Sequence, residues 1–411
     1  MVFPFLEVLP GFLITFVRVL LEPLFWVVVL IVAWQYRQLA VTREHFFGQR
    51  VRNIRTDVLV ATGYGLLGGF FGSLVMLVVG LNLSGSGLLF LWPVALLLML
   101  FNPRYLCFAY AGGLVGLSNL LFGFPPVSVP QLMALVAILH MVESLLILGS
   151  GHLGASPAYI RAEDGRVVGG FTLQKFWPIP LVALVVAGPA TGAGGIPMPE
   201  WWPLLRPETE TSNVLYQLVP VVAGLGYGDL AVARRPEEKS RLAAAYLAVY
   251  SLVLLSLALL AGRVGSLAPA AALFGPLGHE LVIALGRRAE SEASPLFVPP
   301  PRGVMILDVL PGSAAWRMGL RAGDVVLEIN GVEVDDRVTF RQMVAEGGPL
   351  EVAYLAGGER RYRREFVPLR SPGEPLGVIL VPEGDEGYYL EHRTTGPLQR
   401  WVARWWRRLR R

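Results

Sequence analysis

A histidine–glutamate pair stands inside an apolar part of the chain, in the segment LFGPLGHELVIALG. A zinc peptidase helix carries His-Glu-x-x-His because two histidines one helical turn apart bind the ion from one face. The glutamate between them then polarises the metal-bound water. Here His279 and Glu280 fill the first two positions, but Ile283 stands where the second histidine belongs. An isoleucine cannot bind zinc, so the segment predicts no catalytic residue and no metal ligand set.

Further ionisable residues interrupt other apolar segments. His140 and Glu143 are three residues apart within 131–149, and Asp229 lies within 213–233. Ionisable groups at membrane depth are costly, so each is a candidate functional residue. Together with His279 and Glu280, they are expected to form an intramembrane polar cluster that joins helices. A proton or ion pathway, as in a transporter or sensor, is the alternative.

Other chemistries find little support in the sequence. The single cysteine, Cys107, excludes an intrachain disulfide and a Cys-rich metal site. The chain has no Gly-rich phosphate loop followed by lysine, so the sequence indicates no nucleotide hydrolysis and no cofactor. Serine, histidine and acidic residues are too scattered to predict a catalytic triad. We therefore expect a non-enzymatic protein.

The elements that must position these residues are membrane spans. The 411 residues are 54% hydrophobic with a mean hydropathy of +0.54, which is typical of a polytopic membrane protein. A span needs about 20 apolar residues. The candidates are 11–34, 58–80, 82–101, 105–122, 131–149, 177–190, 213–233, 242–262 and 266–286. The first has an interfacial alternative because it carries Arg18 and Glu22, and the sixth, which holds two prolines, has a re-entrant alternative.

The basic residues indicate an orientation. The connection at 35–57 holds five arginines, and the connections on the same predicted side bring the basic residues there to fifteen. The opposite connections offer only Arg206 and Arg263. Because short cytoplasmic loops are enriched in Lys and Arg, the chain after Arg288 is expected in the cytoplasm.

A soluble module follows a polar, Pro-rich stretch. The segment RGVMILDVLPGSAAWRMGLRAGDVVLEINGVEVDDRVTFRQMV resembles the PDZ domains of bacterial membrane and protease-associated proteins. Ser313 would cap a short helix, and Asn330-Gly331 would form a hairpin turn at positive φ. The resemblance implies strand addition of a partner peptide. The expected peptide-binding residues are Gly303, Val304, Met305, Ile306, Phe340, Met343 and Val344.

The last residues form a basic, tryptophan-rich tail. In a helix, Trp401, Trp405 and Leu409 would share one face, with arginines on the rest of the surface. This pattern predicts contact with an anionic membrane surface. Nucleic-acid binding and a solvated tail are the alternatives, and we expect no nucleic-acid partner. The predicted contact residues are Trp401, Arg404, Trp405, Trp406, Arg407 and Arg408.

The full organisation resembles one known family. The order of many spans and a single PDZ domain is similar to that of the MinJ family of division-topology proteins. LEPLFWVVVLIVAWQYRQLAVTREHFFGQRV and LFGPLGHELVIALGRRAESEASPLF are similar to that family's first and last spans. The resemblance implies a bridge between a DivIVA-like polar scaffold and the division inhibitors MinC and MinD, a MinD-like ATPase being one partner. It also implies enrichment at the septum and the cell poles. An inactive relative of PDZ-containing intramembrane zinc proteases is the alternative.

These observations predict an α-helical polytopic membrane domain followed by a small α+β PDZ domain, a partly open β-barrel with two helices. The predicted boundaries are 1–290 for the membrane domain, 291–300 for a linker, 301–370 for the PDZ domain, 371–396 for a Gly/Pro/acid-rich extension and 397–411 for the tail. The segment PLGVILV within the extension reads as an additional edge strand, which leaves the end of the PDZ domain open.

Overall fold

The computed structural model describes residues 3–47, 53–162, 164–189, 195–205, 214–357, 361–367, 375–384, 386 and 389–390. The predicted membrane-surface residues Trp401, Arg404, Trp405, Trp406, Arg407 and Arg408 lie outside the described residues.

In the described residues, the membrane domain combines eight α-helices with one three-stranded sheet. The helices are α1 (Phe5–Leu21), α2 (Pro23–Phe47), α3 (Ile54–Val79), α4 (Leu88–Phe101), α5 (Phe108–Phe122), α6 (Val129–Ser150), α7 (Pro236–Ala261) and α8 (Ala268–Ser291). The strands are β1 (Ser156–Arg161), β2 (Val167–Pro189) and β3 (Val214–Ala231). Strand β2 pairs antiparallel with both of its neighbours.

Five segments of the described chain are helical, long enough and apolar enough to cross a membrane. They are Pro23–Val41, Ile54–Val79, Val129–Ser150, Pro236–Ala261 and Gly265–Ser291. The predicted spans 82–101 and 105–122 contain the shorter apolar helices α4 and α5. The predicted span 11–34 is divided between α1 and α2, with the break at Glu22 before Pro23.

The predictions of helical spans at 177–190 and 213–233 are wrong. Both segments are strands, β2 and β3, which pair from Phe171 with Ala231 to Pro189 with Val214. Long apolar runs without a polar face do not separate a helix from a strand. Because β2 and β3 are antiparallel, the chain enters β2 and leaves β3 at the same end of the hairpin.

On the edge of β2 that faces α3, positions 178, 180 and 182 leave no backbone N–H group unpaired. Pro178 and Pro180 remove two N–H groups on that edge, and the next one, of Val182, donates to the Ser73 hydroxyl at 2.8 Å. Helix α3 can approach this edge closely because it has glycine at the two contact positions. A Cβ on Gly65 would lie 2.1 Å from the Pro178 carbonyl oxygen, and a Cβ on Gly69 would lie 2.0 Å from the Pro180 carbonyl oxygen. The Pro-x-Pro spacing in β2 thus matches the Gly-x-x-x-Gly spacing in α3.

The described part of the PDZ domain contains two helices and six strands. They are β4 (Val304–Val309), α9 (Ala314–Arg317), β5 (Val325–Ile329), β6 (Val332–Glu333), α10 (Arg337–Ala345), β7 (Leu350–Ala356), β8 (Arg361–Val367) and β9 (Val378–Leu380). The sheet order is β8-β7-β5-β4-β9, with β6 paired to β5. Ser313 caps α9, and Asn330 and Gly331 adopt positive φ in the hairpin turn, as the sequence predicts.

Strand β9 belongs to the PDZ sheet although it lies beyond the predicted end of the domain at residue 370. It lies in the predicted 371–396 extension, yet Leu380 and Leu376 are buried in the same core as Phe340 of α10. The edge strand expected in PLGVILV is therefore present, and the PDZ sheet extends beyond residue 370.

The PDZ domain packs directly on the membrane-domain sheet. Phe297, in the predicted linker, is only 5% exposed, and its carbonyl accepts a hydrogen bond from the N–H of Gly169 in β2 at 2.9 Å. Leu307 and Ile379 belong to the same buried cluster as Phe171 of β2. The segment 291–300 is thus anchored to the membrane domain rather than a free spacer.

Candidate functional site

The strand-addition edge predicted at β4 is occupied. Val304 and Met305 pair with β5, while Ile306 pairs with Leu380 of β9. Because β4 has a neighbour on each side, a partner strand cannot add to it without displacing part of the sheet. The assignment of Gly303, Val304, Met305 and Ile306 to peptide binding therefore does not agree with the sheet.

Gly303 has a structural role instead. Its φ is +77°, and a Cβ there would lie 2.4 Å from the Val326 carbonyl oxygen. Its N–H donates to the Asp335 carboxylate at 3.1 Å, so this amide is committed within the domain. The glycine is required for the close approach of the chain to β5.

The edge of the sheet next to β4 belongs to β9, which is one of the two terminal strands in the described part of the sheet. In an antiparallel pair, residues that do not exchange hydrogen bonds turn their N–H and C=O groups outward. Val381 N–H donates to the Met305 carbonyl, so the opposed pair of Ile306 and Leu380 is of that kind. The backbone groups of Leu380 consequently face away from β4, where a partner strand would add.

Helix α10 borders this edge. Asp336 caps the helix by accepting from the Thr339 N–H at 2.8 Å, which fixes where it starts. Arg337, Arg341 and Val344 recur at i, i+4 and i+7 and so share one face. Phe340 is buried in the core, and Met343 lies off that face. We define the β9–α10 groove as the space bounded by Val378, Leu380, Arg337, Arg341 and Val344.

One residue of the membrane domain already lies in the β9–α10 groove. The Tyr159 hydroxyl, on β1, donates to the outward Leu380 carbonyl at 3.0 Å and accepts from Arg337 Nη2 at 3.1 Å. The Arg337 guanidinium lies 5.6 Å from the centroid of the Tyr159 ring and also pairs with Glu386. Burial raises the pKa of Tyr159, so its hydroxyl keeps the proton that it donates. Sequence reasoning missed this contact because no local pattern connects β1 with β9.

The predicted intramembrane polar cluster is partly assembled. His140 of α6 and His279 of α8 lie with their ring centroids 5.3 Å apart. Glu280 accepts from the Tyr110 hydroxyl at 2.8 Å and pairs with Arg104 at 2.9 Å. These are the partners that the sequence left unnamed, and the contacts join α5, α6 and α8.

Asp229 takes part in a different contact. Its carboxylate lies 3.3 Å from Lys239 Nζ, and the same lysine lies 3.8 Å from Glu290. Asp229 therefore bonds to the start of α7 rather than to the two histidines. Glu143 follows His140 by one turn on the same helix.

Cys107 completes a group of potential metal ligands. The sulfur of Cys107 and one ring nitrogen each of His140 and His279 all lie within 4.8 Å of one another. No motif within a single helix contains these residues, because Cys107 stands at the start of α5, His140 in the middle of α6 and His279 in the middle of α8.

Comparison with known proteins identifies the soluble module. The PDZ domain family model matches residues 305–353. The chain is 33% identical over 70 residues to the serine protease HhoA of Synechocystis, covering 16% of this chain and 18% of that protein. It is 41% identical over 64 residues to a DegP-like periplasmic serine endoprotease of Halomonas elongata, covering 15% of this chain and 14% of that protein. The protease matches are confined to the PDZ part.

A second similarity covers nearly the whole chain. Over 385 residues the chain is 23% identical to the cell division topological determinant MinJ of Bacillus subtilis. The match takes in 89% of this chain and 94% of that protein. It therefore includes the membrane domain, which the protease matches leave out.

Proposed function

Because the chain is MinJ-like over nearly its whole length, we propose that it is a non-enzymatic, membrane-anchored adaptor of cell division. It recruits cytoplasmic division proteins through its PDZ domain and bridges a DivIVA-like polar scaffold to a MinD-like ATPase. The observation that carries the proposal is the match to MinJ across both the membrane domain and the PDZ domain.

The proposed orientation places the PDZ domain and the C-terminus in the cytoplasm, with the protein enriched at septum and poles. The basic residues that flank the apolar segments support this side. The tail residues Trp401, Arg404, Trp405, Trp406, Arg407 and Arg408 are proposed to contact the anionic cytoplasmic leaflet.

The proposed recognition surface is the β9–α10 groove. A partner segment would add as a strand to the outward N–H and C=O groups of Val378 and Leu380. Its side chains would meet Val344 and the two arginines of α10, which favours acidic side chains in the partner. Binding at Leu380 would displace the Tyr159 hydroxyl from the carbonyl that it now occupies.

A pull-down tests the proposal. The full-length protein in detergent is the bait, and the purified DivIVA-like scaffold and MinD-like ATPase of the same organism are the prey. Val378→Pro removes an outward N–H group, whereas the bonds from β9 to β4 use the Gly377 carbonyl and the Val381 N–H. We expect the wild-type protein to retain prey and Val378→Pro to lose it.

Two outcomes would count against the proposal. Retention of neither prey by the wild-type protein would exclude the bridge. Equal retention by the wild type and by a Val378→Pro protein that keeps the wild-type thermal unfolding temperature would exclude the groove as the recognition surface.

A further inference from the structure

Three potential ligand atoms converge between α5, α6 and α8. Cys107 Sγ lies 3.1 Å from His140 Nε2 and 3.6 Å from His279 Nε2. Zinc–sulfur bonds of about 2.3 Å and zinc–nitrogen bonds of about 2.0–2.1 Å at tetrahedral angles separate two ligand atoms by about 3.5 Å. Both separations are thus close to those around one tetrahedral zinc ion.

The protonation of both rings directs a lone pair at the sulfur. His140 Nδ1 lies 2.7 Å from the Val136 carbonyl oxygen, which can only accept, so Nδ1 carries the proton. The Tyr110 hydroxyl donates to Glu280, so at 3.3 Å it accepts from His279 Nδ1. In both histidines the Nε2 atom is left with a lone pair facing Cys107.

This arrangement is poorly satisfied by hydrogen bonds alone. A thiol has one S–H proton and can serve only one of the two Nε2 lone pairs. His140 is 3% exposed, so a lone pair that stays unpaired there carries a desolvation cost. A cation between the three atoms would satisfy both nitrogens and the sulfur at once.

Two contacts near the three ligand atoms suit a bound cation. Cys107 caps α5, and its sulfur accepts from the Ala109 N–H at 3.4 Å, a position where the helix dipole stabilises negative charge. The Glu280–Tyr110–His279 chain has the form of an outer-shell contact that orients a metal-binding imidazole.

We propose that Cys107, His140 and His279 bind one zinc-class divalent ion that joins α5, α6 and α8 inside the membrane domain. One thiolate and two imidazoles suit zinc, and three protein ligands leave a fourth position for water or another ligand. The proposal is independent of the adaptor function, because it concerns the membrane domain and requires no PDZ partner.

Metal analysis of the full-length protein tests the site. The protein is purified in detergent without a polyhistidine tag, incubated with zinc, desalted and measured by plasma mass spectrometry. We expect about one zinc ion per chain, with loss of the metal in Cys107→Ser and His279→Gln. His152→Gln is the matched control, since His152 is another described histidine outside the cluster, and it should keep the wild-type zinc content.

Cobalt provides a measurement that needs no variant. Co²⁺ added to the metal-free wild-type protein should produce the intense visible bands of a tetrahedral site together with a thiolate-to-cobalt charge-transfer band. Cys107 is the only cysteine, so a thiolate band can come from no other residue. This readout remains decisive if the ligand variants fail to fold.

An outer-shell variant separates metal binding from helix packing. Tyr110→Phe removes the hydroxyl that orients His279, and we expect zinc affinity to fall about 10- to 100-fold in competition with a chromophoric chelator. Tyr246→Phe, on α7 outside the cluster, should leave the affinity unchanged. Well below one zinc per chain in the wild type, no cobalt thiolate band, or equal zinc in the wild type and folded Cys107→Ser would each overturn the proposal.

Discussion

Removing the Tyr159 hydroxyl is predicted to open the β9–α10 groove. Tyr159→Phe keeps the ring beside Arg337 but deletes the hydrogen bond to the Leu380 carbonyl. That carbonyl is one of the outward groups to which a partner strand would bond. The variant therefore removes an internal competitor from the proposed recognition surface and leaves the packing of β1 in place.

The expected increase in partner affinity follows from the free energy of one hydrogen bond. A neutral intramolecular hydrogen bond contributes about 0.5–1.5 kcal/mol net. If the partner must displace this bond, its loss should tighten partner binding roughly 2- to 12-fold. The bond from Arg337 to the same hydroxyl adds to the competition, so the upper part of that range is the better expectation.

Binding of the MinD-like ATPase to the full-length protein in nanodiscs, followed by biolayer interferometry, measures this gain. Hydrogen exchange of the 378–380 amides gives a readout that needs no partner, and exchange there should be faster in Tyr159→Phe. Tyr362→Phe is the matched control because its hydroxyl lies at the opposite edge of the sheet, 3.4 Å from Glu328. Unchanged affinity and unchanged exchange in Tyr159→Phe would refute the role of Tyr159 in closing the groove.

Three further substitutions test the packing that positions these sites, each by thermal unfolding in detergent. Gly69→Ala should lower the free energy of unfolding by about 1–3 kcal/mol, because its Cβ would overlap the Pro180 carbonyl. Gly63→Ala, which has open space around it, should be tolerated, and equal stability of the two variants would contradict the close approach of α3 to β2. Ser73→Ala should lower the free energy of unfolding by about 1–3 kcal/mol, because it leaves the Val182 N–H unpaired, while Ser256→Ala at an exposed position should leave stability unchanged. If Ser73→Ala is as stable as the wild type, another group must accept the hydrogen bond from Val182. Gly303→Ala should destabilise the PDZ domain much more than Gly312→Ala, since both glycines have positive φ but only a Cβ at Gly303 would overlap another residue, Val326. A stable Gly303→Ala protein with weakened partner binding would instead support the groove predicted from the sequence at β4.

The PDZ module was predictable because its signals are local. Turn glycines, the Ser313 cap and alternating apolar residues each act within a few positions, and the structure has the corresponding elements. The peptide groove predicted at β4 lies one strand away from the β9–α10 groove, because β9 follows β4 by some 70 residues in the chain. Sequence periodicity indicates that a strand exists but not which strand it lies beside.

The β2–β3 hairpin differs from the two helical spans predicted there for a related reason. Its apolar runs have hydrophobic residues on both faces, so the alternation that normally marks a strand is absent. The two prolines of β2 did carry a signal. Placed two residues apart, they remove N–H groups from one edge of a strand, a pattern that interrupts a helix but suits an edge strand.

The metal-ligand group shows where motif reasoning ends. A His-Glu-x-x-His search assumes that both histidines share one helix, and Ile283 fails that test. In the structure the second histidine is supplied by His140 of α6 and the third ligand by Cys107, so the three ligands are separated by 33 and 139 positions. Close packing makes this possible: Gly278, next to His279, lies against Tyr250, and a Cβ there would be 2.9 Å from that ring. The absence of a local motif therefore excludes a single-helix zinc site, but it does not exclude a site that forms only when α5, α6 and α8 pack together.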